Sequence, residues 1–322
     1  MSWFLVCDRQ HTGLELRDVP EPTPEAGEVL VRVHAASLNR GEFLVKPTPS
    51  GPVIDKPCGI ECAGEVIAIG AGVDDIAPGD RVMGRASMAF SEYAILRAGN
   101  AIKVPQRLSW EQAGAATITY ITAYDMLWPG GALQPDEWLL ITGVSSGVGV
   151  AALQLGKMIG ARVIGTSGSA EKLEKLAPFG LDFALPTRNH GFVSQVMSIT
   201  EGHGVDLVVN NVGGSVFAEC IQVLAYQGRL ATVGHVDGET KVELDILQQH
   251  AKRLRLFGVS NKLRSAEEVA QSVKDFTRDI LPAIADGRIT PLIDAVYPFE
   301  ELPQALARMT SNAHVGKIVV RI

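Results

Sequence analysis

Apolar positions change their spacing about a third of the way along the chain. Up to about residue 100 they come in short alternating runs, such as Val29-Leu-Val-Arg-Val33 and Gly64-Glu-Val-Ile-Ala-Ile69. Turn-forming residues, among them Ala77-Pro-Gly-Asp80, cut these runs apart. A period of two bounded by Gly, Pro and Asp predicts a compact β-rich domain. Lys46–Pro57, with four prolines and a glycine, predicts an irregular loop. From about residue 120, continuous apolar runs of strand length alternate with helix-period segments. Leu139-Leu-Ile-Thr142 precedes a helix over about 148–158, and Arg162-Val-Ile-Gly-Thr166 precedes one from about 170. Val205-Asp-Leu-Val-Val-Asn210 precedes one from about 215, and Arg229-Leu-Ala-Thr-Val233 follows. Strands apolar on both faces, separated by helices, predict a parallel sheet covered on both sides: a doubly wound α/β domain of the Rossmann type. A long helical pattern runs from Ser265 to about Ala285. The closing Lys317-Ile-Val-Val-Arg-Ile322 is a strand expected to return to the first domain. The expected division is a β-rich domain built from 1–120 and 262–322 and a dinucleotide-binding domain over 121–261.

Composition narrows the function. The chain has 322 residues, 46% hydrophobic and 20% charged, with a formal net charge of -7. That is too apolar for a disordered chain and too acidic for a dedicated nucleic-acid binder. Four cysteines, Cys7, Cys58, Cys62 and Cys220, form no CxxC pair and no disulfide framework. Reduced thiols and a short, charge-interrupted apolar start predict a cytoplasmic protein without signal peptide or membrane span.

The strongest chemical signal is Leu139-Leu-Ile-Thr-Gly-Val-Ser-Ser-Gly-Val-Gly149. A buried strand runs through glycines into a helix, where backbone can approach a pyrophosphate and the helix N-terminus offers free N–H groups. This assigns Gly143, Ser146, Gly147, Val148 and Gly149 to a dinucleotide. NAD sites usually carry Asp or Glu after the second strand to hold the ribose 2′-hydroxyl. Here that strand ends Gly165-Thr-Ser-Gly-Ser169, with Lys172 in the next turn. Ser167, Ser169 and Lys172 suit a 2′-phosphate, so the expected cofactor is NADPH.

These residues resemble a family. Leu38-Asn39, Gly59-Ile-Glu-Cys-Ala-Gly-Glu-Val66, Pro78-Gly-Asp-Arg-Val82, Thr122-Ala-Tyr124, Asp136 through Lys157, Asn211-Val-Gly-Gly214, Gly228-Arg-Leu230 with Gly234, and His314-Val-Gly-Lys-Ile318 occur in order over almost the whole chain. Together they resemble the zinc-independent medium-chain dehydrogenases/reductases, in the quinone oxidoreductase (zeta-crystallin-like) branch. The resemblance implies a GroES-like catalytic domain beside the Rossmann domain, and a homodimer. It places Asn39 and Thr122 at the nicotinamide end and the loop of Asn211, Val212 and Gly213 near it, with Gly234 in a later block. Two departures stand out. Val144 and Ser146 replace small or Gly residues in the turn. Thr187 stands where many members have a Tyr beside the 2′-phosphate, and the adjacent Arg188 compensates.

The zinc enzymes of the wider family use a Gly-His-Glu motif and a cysteine. Here the motif reads Gly59-Ile60-Glu61, and Asn39-Arg-Gly-Glu42 occupies the cysteine position. No metal is expected, and Glu61 is expected as a hydrogen-bonded structural carboxylate. Without a Lewis acid the acceptor must already be electrophilic, which points to a small-molecule quinone or α,β-unsaturated carbonyl (enone). Asn39 is a candidate for binding the acceptor oxygen, or a turn residue. Tyr120 is a candidate proton donor, or a packed aromatic that narrows the pocket. His235 is a candidate for the cleft edge. The enzyme rival is an enoyl-thioester or 2-alkenal reductase; the non-enzyme rival is an NADPH-binding structural or regulatory protein.

Overall fold

A computed structural model of the chain describes residues 1–7, 12–44, 53–187 and 190–322. It divides into two compact units, Met1–Ile118 with Val269–Ile322, and Thr119–Glu268.

The first unit is built on a seven-stranded sheet. Its long central strands, Glu28–Ser37 and Glu61–Ile69, pair antiparallel. The C-terminal strand Lys317–Arg321 adds antiparallel beside Glu28–Ser37, and Ile293–Pro298 pairs parallel with it. The end of the chain therefore sits one strand away from Glu61. A second sheet of three strands joins Ser2–Cys7 to Thr12–Arg17 and Ile54–Pro57. The latter strand corrects the irregular loop expected over Lys46–Pro57. Its residues offer few alternating apolar positions, so only pairing with Ser2–Cys7 makes it a strand. Val29, Val31, Val33, Val66, Val82, Phe90 and Val320 form the core, the inward half of the period-two pattern.

The helix expected from Ser265 to Ala285 is two helices, Ala266–Asp279 and Leu281–Asp286. Pro282 lies in the first turn of the second. Its missing N–H is harmless there and would break a continuous helix. Phe276, Ile280 and Ile284 stay buried across the break, which explains why the apolar period runs through it.

The second unit carries a six-stranded sheet, parallel throughout. In space the strands run Phe183–Pro186, Arg162–Ser167, Trp138–Thr142, Val205–Asn210, Leu224–Thr232 and Arg255–Gly258. Numbered within this unit, that order is 3-2-1-4-5-6, the Rossmann arrangement, with its reversal between the first and fourth strands. The glycine turn after Thr142 and the loop after Asn210 lie side by side at that reversal. Leu139, Leu140, Ile141, Val208 and Val209 are buried, as strands covered on both faces require.

Candidate functional site

In the second unit the strand Trp138–Thr142 ends in a turn that feeds the helix Gly147–Ile159. Ser146 is the N-cap, its Oγ accepting from Gly149 N at 3.0 Å. The N–H groups of Gly147 and Val148 have no carbonyl one turn back and lead the helix's positive end. A Cβ on Gly149 would stand 2.6 Å from the carbonyl oxygens of Gly143 and Val144, so the helix start is pressed directly onto the turn. Val144, a departure from the family's small residues, is fully buried, and its N–H donates to Thr166 O at 3.0 Å. Ser146, the other departure, fits because its side chain turns back to cap the helix.

The second strand ends beside this turn. Ser167 Oγ and Ser145 Oγ are 3.4 Å apart. Ser169 caps the next short helix, accepting from Lys172 N at 3.4 Å, and Lys172 is half-buried. The end of this strand carries no carboxylate. Thr187 Oγ1 donates to His190 O, and Arg188 lies outside the described residues.

The loop after the fourth strand is organised by Asn210, which is fully buried. Its Oδ1 accepts from Val212 N at 3.0 Å, Gly213 N at 3.1 Å and Thr142 Oγ1 at 3.0 Å, while Nδ2 donates to Gly213 O at 2.9 Å. Asn211 donates through Nδ2 to Thr142 O at 3.0 Å. Val233 N and Asp237 N donate to the carbonyls of Asn210 and Val212, and a Cβ on Gly234 would lie 2.5 Å from Asn211 O. Gly143, the helix start, Ser167, Asn211 to Gly213 and Gly234 thus gather at the sheet reversal. His235 is exposed beside them. Thr122 is buried on the helix Thr117–Asp125, its Oγ1 accepting from Asn261 Nδ2 at 3.4 Å. Tyr120, on the same helix, is 2% exposed. Gln154 Nε2 donates to its hydroxyl at 3.0 Å, and burial pushes its pKa further above the ordinary phenol value. Gln154 takes an acceptor position on the hydroxyl oxygen and not its proton, so this contact is compatible with both roles weighed for Tyr120.

The first unit holds a separate polar cluster. Glu61 is 1% exposed. Its Oε1 accepts from Ser37 Oγ at 2.6 Å, Asn39 Nδ2 at 3.0 Å and Lys317 Nζ at 2.8 Å, and its Oε2 accepts from Ile118 N at 2.8 Å. Lys317 Nζ also donates to Leu38 O and Asn39 Oδ1, both at 2.9 Å. The Asn39 amide is held from both ends and is not a free turn residue. The sequence had no feature marking Lys317 as the partner, since 256 positions separate it from Glu61. Asn210 was read only as the end of a strand.

The residues at the zinc positions do not fit that ion. Ile60 has no ligating atom, and the thiols of Cys58 and Cys62 are pushed up to about 12 by burial and neighbouring carboxylates. Among the described residues, no group of three or more His, Cys, Asp or Glu could hold a metal ion. No described helix is long and apolar enough to cross a membrane.

Known proteins share this architecture. The family model for the alcohol dehydrogenase GroES-like domain matches residues 25–106, and that for zinc-binding dehydrogenase matches 147–277. A phenolphthiocerol/phthiocerol polyketide synthase subunit of Mycobacterium tuberculosis is 33% identical over 316 residues. The alignment takes in 96% of this chain but 14% of that protein, so the chain spans about a seventh of its length. A mycobacterial protein solved with NADPH superposes with a TM-score of 0.87 at 25% identity, covering all of both chains. The quinone oxidoreductase of Escherichia coli, solved with NADPH, has the same fold, with a TM-score of 0.88 at 24% identity over 99% of this chain and 100% of that one.

Replacing Lys317 by Met strands the Glu61 carboxylate in the core. Unfolding by denaturant is expected to show a loss of ~3–5 kcal/mol, with part recovered on adding Glu61→Gln. A loss within ordinary surface-mutation scatter would show the pair to be dispensable. Asn210→Ala leaves the Val212 and Gly213 amides without their acceptor. It is expected to cost ~1–3 kcal/mol in the same assay, and an unchanged midpoint would refute its organising role.

Proposed function

Because the chain belongs to the medium-chain dehydrogenase/reductase family, and within it resembles the quinone oxidoreductases, we propose that it is an NADPH-dependent oxidoreductase that reduces a quinone or an α,β-unsaturated carbonyl without a metal ion. The observation that carries the reading is the glycine turn at the sheet reversal beside a second strand that ends in serines. The cradle fits a dinucleotide: Gly149 has no room for a Cβ, and the helix start supplies N–H groups for a pyrophosphate. Ser167, Ser169 and Lys172 then take the 2′-phosphate, where a carboxylate would repel it. Arg188, next in chain to Thr187, belongs to the same proposal. When bound, NADPH supplies a hydride.

The protein's contribution is to hold and orient. Gly143, Ser146 to Gly149, Asn211 to Gly213 and Gly234 form the dinucleotide side, and Thr122 belongs to it by family resemblance. Asn39 is fixed by Glu61 and Lys317, and we assign it to the acceptor end. It positions there: its Nδ2 already donates to Glu61 and, more weakly at 3.4 Å, to Ser37 O. Pairing as a homodimer is part of the same reading.

A second reading, reduction of an enoyl thioester, is favoured by one observation. The Mycobacterium tuberculosis relative, 33% identical over 96% of this chain, is part of a polyketide synthase. An enoyl thioester is chemically an α,β-unsaturated carbonyl.

The test follows oxidation of NADPH, with NADH in parallel, against matched quinone, enone and enoyl-thioester acceptors. Turnover with NADPH is expected, and the best acceptor chooses between the readings. Tight NADPH binding with no turnover on any of them would replace the enzyme by a structural or regulatory NADPH-binding protein. Lys172→Ala is expected to weaken NADPH binding about tenfold, or ~1.4 kcal/mol, with little effect on NADH. Equal effects on both cofactors would refute the phosphate role.

A further inference from the structure

We propose that Asp237 is a positioning residue for the cofactor: it clasps segment 233–245 onto the loop of Asn211 to Gly213 and so holds the nicotinamide half of the dinucleotide site in binding shape. The inference rests on the dinucleotide reading above and names the group that shapes one half of that site.

Sheet order places the clasp on that half. Ser167, Ser169 and Lys172 lie at and after the end of the unit's second strand, on one side of the first strand. The loop after Asn210 follows the fourth strand, on the other side. A dinucleotide whose pyrophosphate meets the start of the helix Gly147–Ile159, and whose 2′-phosphate lies by the second strand, runs its nicotinamide half past the fourth.

The backbone amides of this loop draw their acceptors from two places. Val212 N and Gly213 N donate to Asn210 Oδ1. Gly214 and Ser215 then begin a short 3-10 turn, Gly214–Val216, that leads into the helix Phe217–Val223. Gly213, the residue before it, has no side chain with which to cap that start. Segment 233–245 supplies both missing acceptors. Gly214 N donates to Glu239 O at 3.1 Å, and Ser215 N donates to Asp237 Oδ2 at 2.8 Å. The other carboxylate oxygen, Oδ1, accepts from Glu239 N at 2.9 Å, which folds the segment back on itself. Asp237 N closes the ring by donating to Val212 O at 3.2 Å.

The approach is close enough to need glycine. Gly213 has φ +130°, and a Cβ on it would stand 2.2 Å from Asp237 Oδ1. A Cβ on Gly214 would stand 2.8 Å from Glu239 O. The segment has little else to hold it. No helix or strand lies between Thr232 and Ile246, and every residue from His235 to Glu243 except Asp237 is exposed. Partial burial pushes the Asp237 carboxyl up, but hydrogen bonding with Ser215 and Glu239 outweighs it and holds the group below the ordinary carboxylate value. At neutral pH both oxygens are therefore acceptors. An exposed, irregular segment opens easily when its few anchors are lost. Removing the carboxylate frees segment 233–245 and, through Val212 and Ser215, the loop it braces.

Cofactor-free protein is titrated with NADPH, NADH and adenosine 2′,5′-bisphosphate, which keeps the adenosine and the 2′-phosphate and lacks the nicotinamide. Asp237→Ala is expected to weaken NADPH and NADH alike, each about tenfold, and to leave the bisphosphate unchanged. Asp237→Asn, which keeps one acceptor oxygen, is expected to fall between the wild type and Asp237→Ala. Amide hydrogen exchange is expected to show the Ser215 N–H protected in the wild type and fast in Asp237→Ala. If Asp237→Ala binds NADPH as the wild type does, or loses NADPH and the bisphosphate equally, the positioning role alone is overturned. A wild type whose Ser215 amide exchanges as freely as an open loop also overturns it, and that result needs no variant to fold. A wild type that binds neither NADPH nor the bisphosphate overturns the dinucleotide reading and the positioning role together.

Discussion

The polar cluster of the first unit depends on one buried carboxylate. Glu61 has almost no contact with water, and an ionised carboxylate survives there only if the protein replaces its hydration shell. Four donors do so: a hydroxyl, an amide, an ammonium and a backbone N–H. They come from three distant parts of the chain. Ser37 ends a central strand, Asn39 follows it, Ile118 lies where the chain leaves the unit, and Lys317 opens the last strand. Satisfying one charge therefore ties three distant segments to the strand that begins at Glu61. The register of the C-terminal strand beside Glu28–Ser37 is the one that brings Lys317 to Leu38, Asn39 and Glu61.

The second unit solves a similar problem with neutral groups. The loop after Asn210 must hold an irregular backbone at the sheet reversal, where neither helix nor ladder can satisfy its amides. The Asn210 side chain supplies both an acceptor and a donor, and Thr142 links it to the neighbouring strand. The glycine turn and this loop are thereby one hydrogen-bonded piece. Its rigidity is set before any dinucleotide arrives, which reduces what binding must spend on ordering it.

Sequence pattern carried the second unit well because its signals are local. Leu139–Thr142, the glycines and the first helical turn lie within about a dozen residues, and each element's period belongs to that element alone. The break at Ile280 was hidden for a related reason: Phe276, Ile280 and Ile284 keep a helical period straight through a proline that the first turn of a new helix tolerates. Ile54–Pro57 was missed because its strand character comes from a partner far away in sequence. The same distance hid the site's electrostatics. Glu61 could be read as a structural carboxylate, but nothing near it indicates a lysine at the other end of the chain. Asn39 was marked by family motif as a candidate, yet that motif could not reveal that both ends of its amide are engaged by Glu61 and Lys317. The Gln154 amide on the Tyr120 hydroxyl was equally out of reach, since 34 positions separate the two.

The saturation of Lys317 bears on which acceptors the site suits. A cation with a spare donor beside the acceptor would polarise an ordinary aldehyde or ketone and make it receptive to hydride. Lys317 has spent its three donors on oxygens of the protein, and Arg40 is bound to the segment around Met309 and Asn312. On the reading proposed above, the acceptor brings its own electrophilicity, as quinones, enones and enoyl thioesters do.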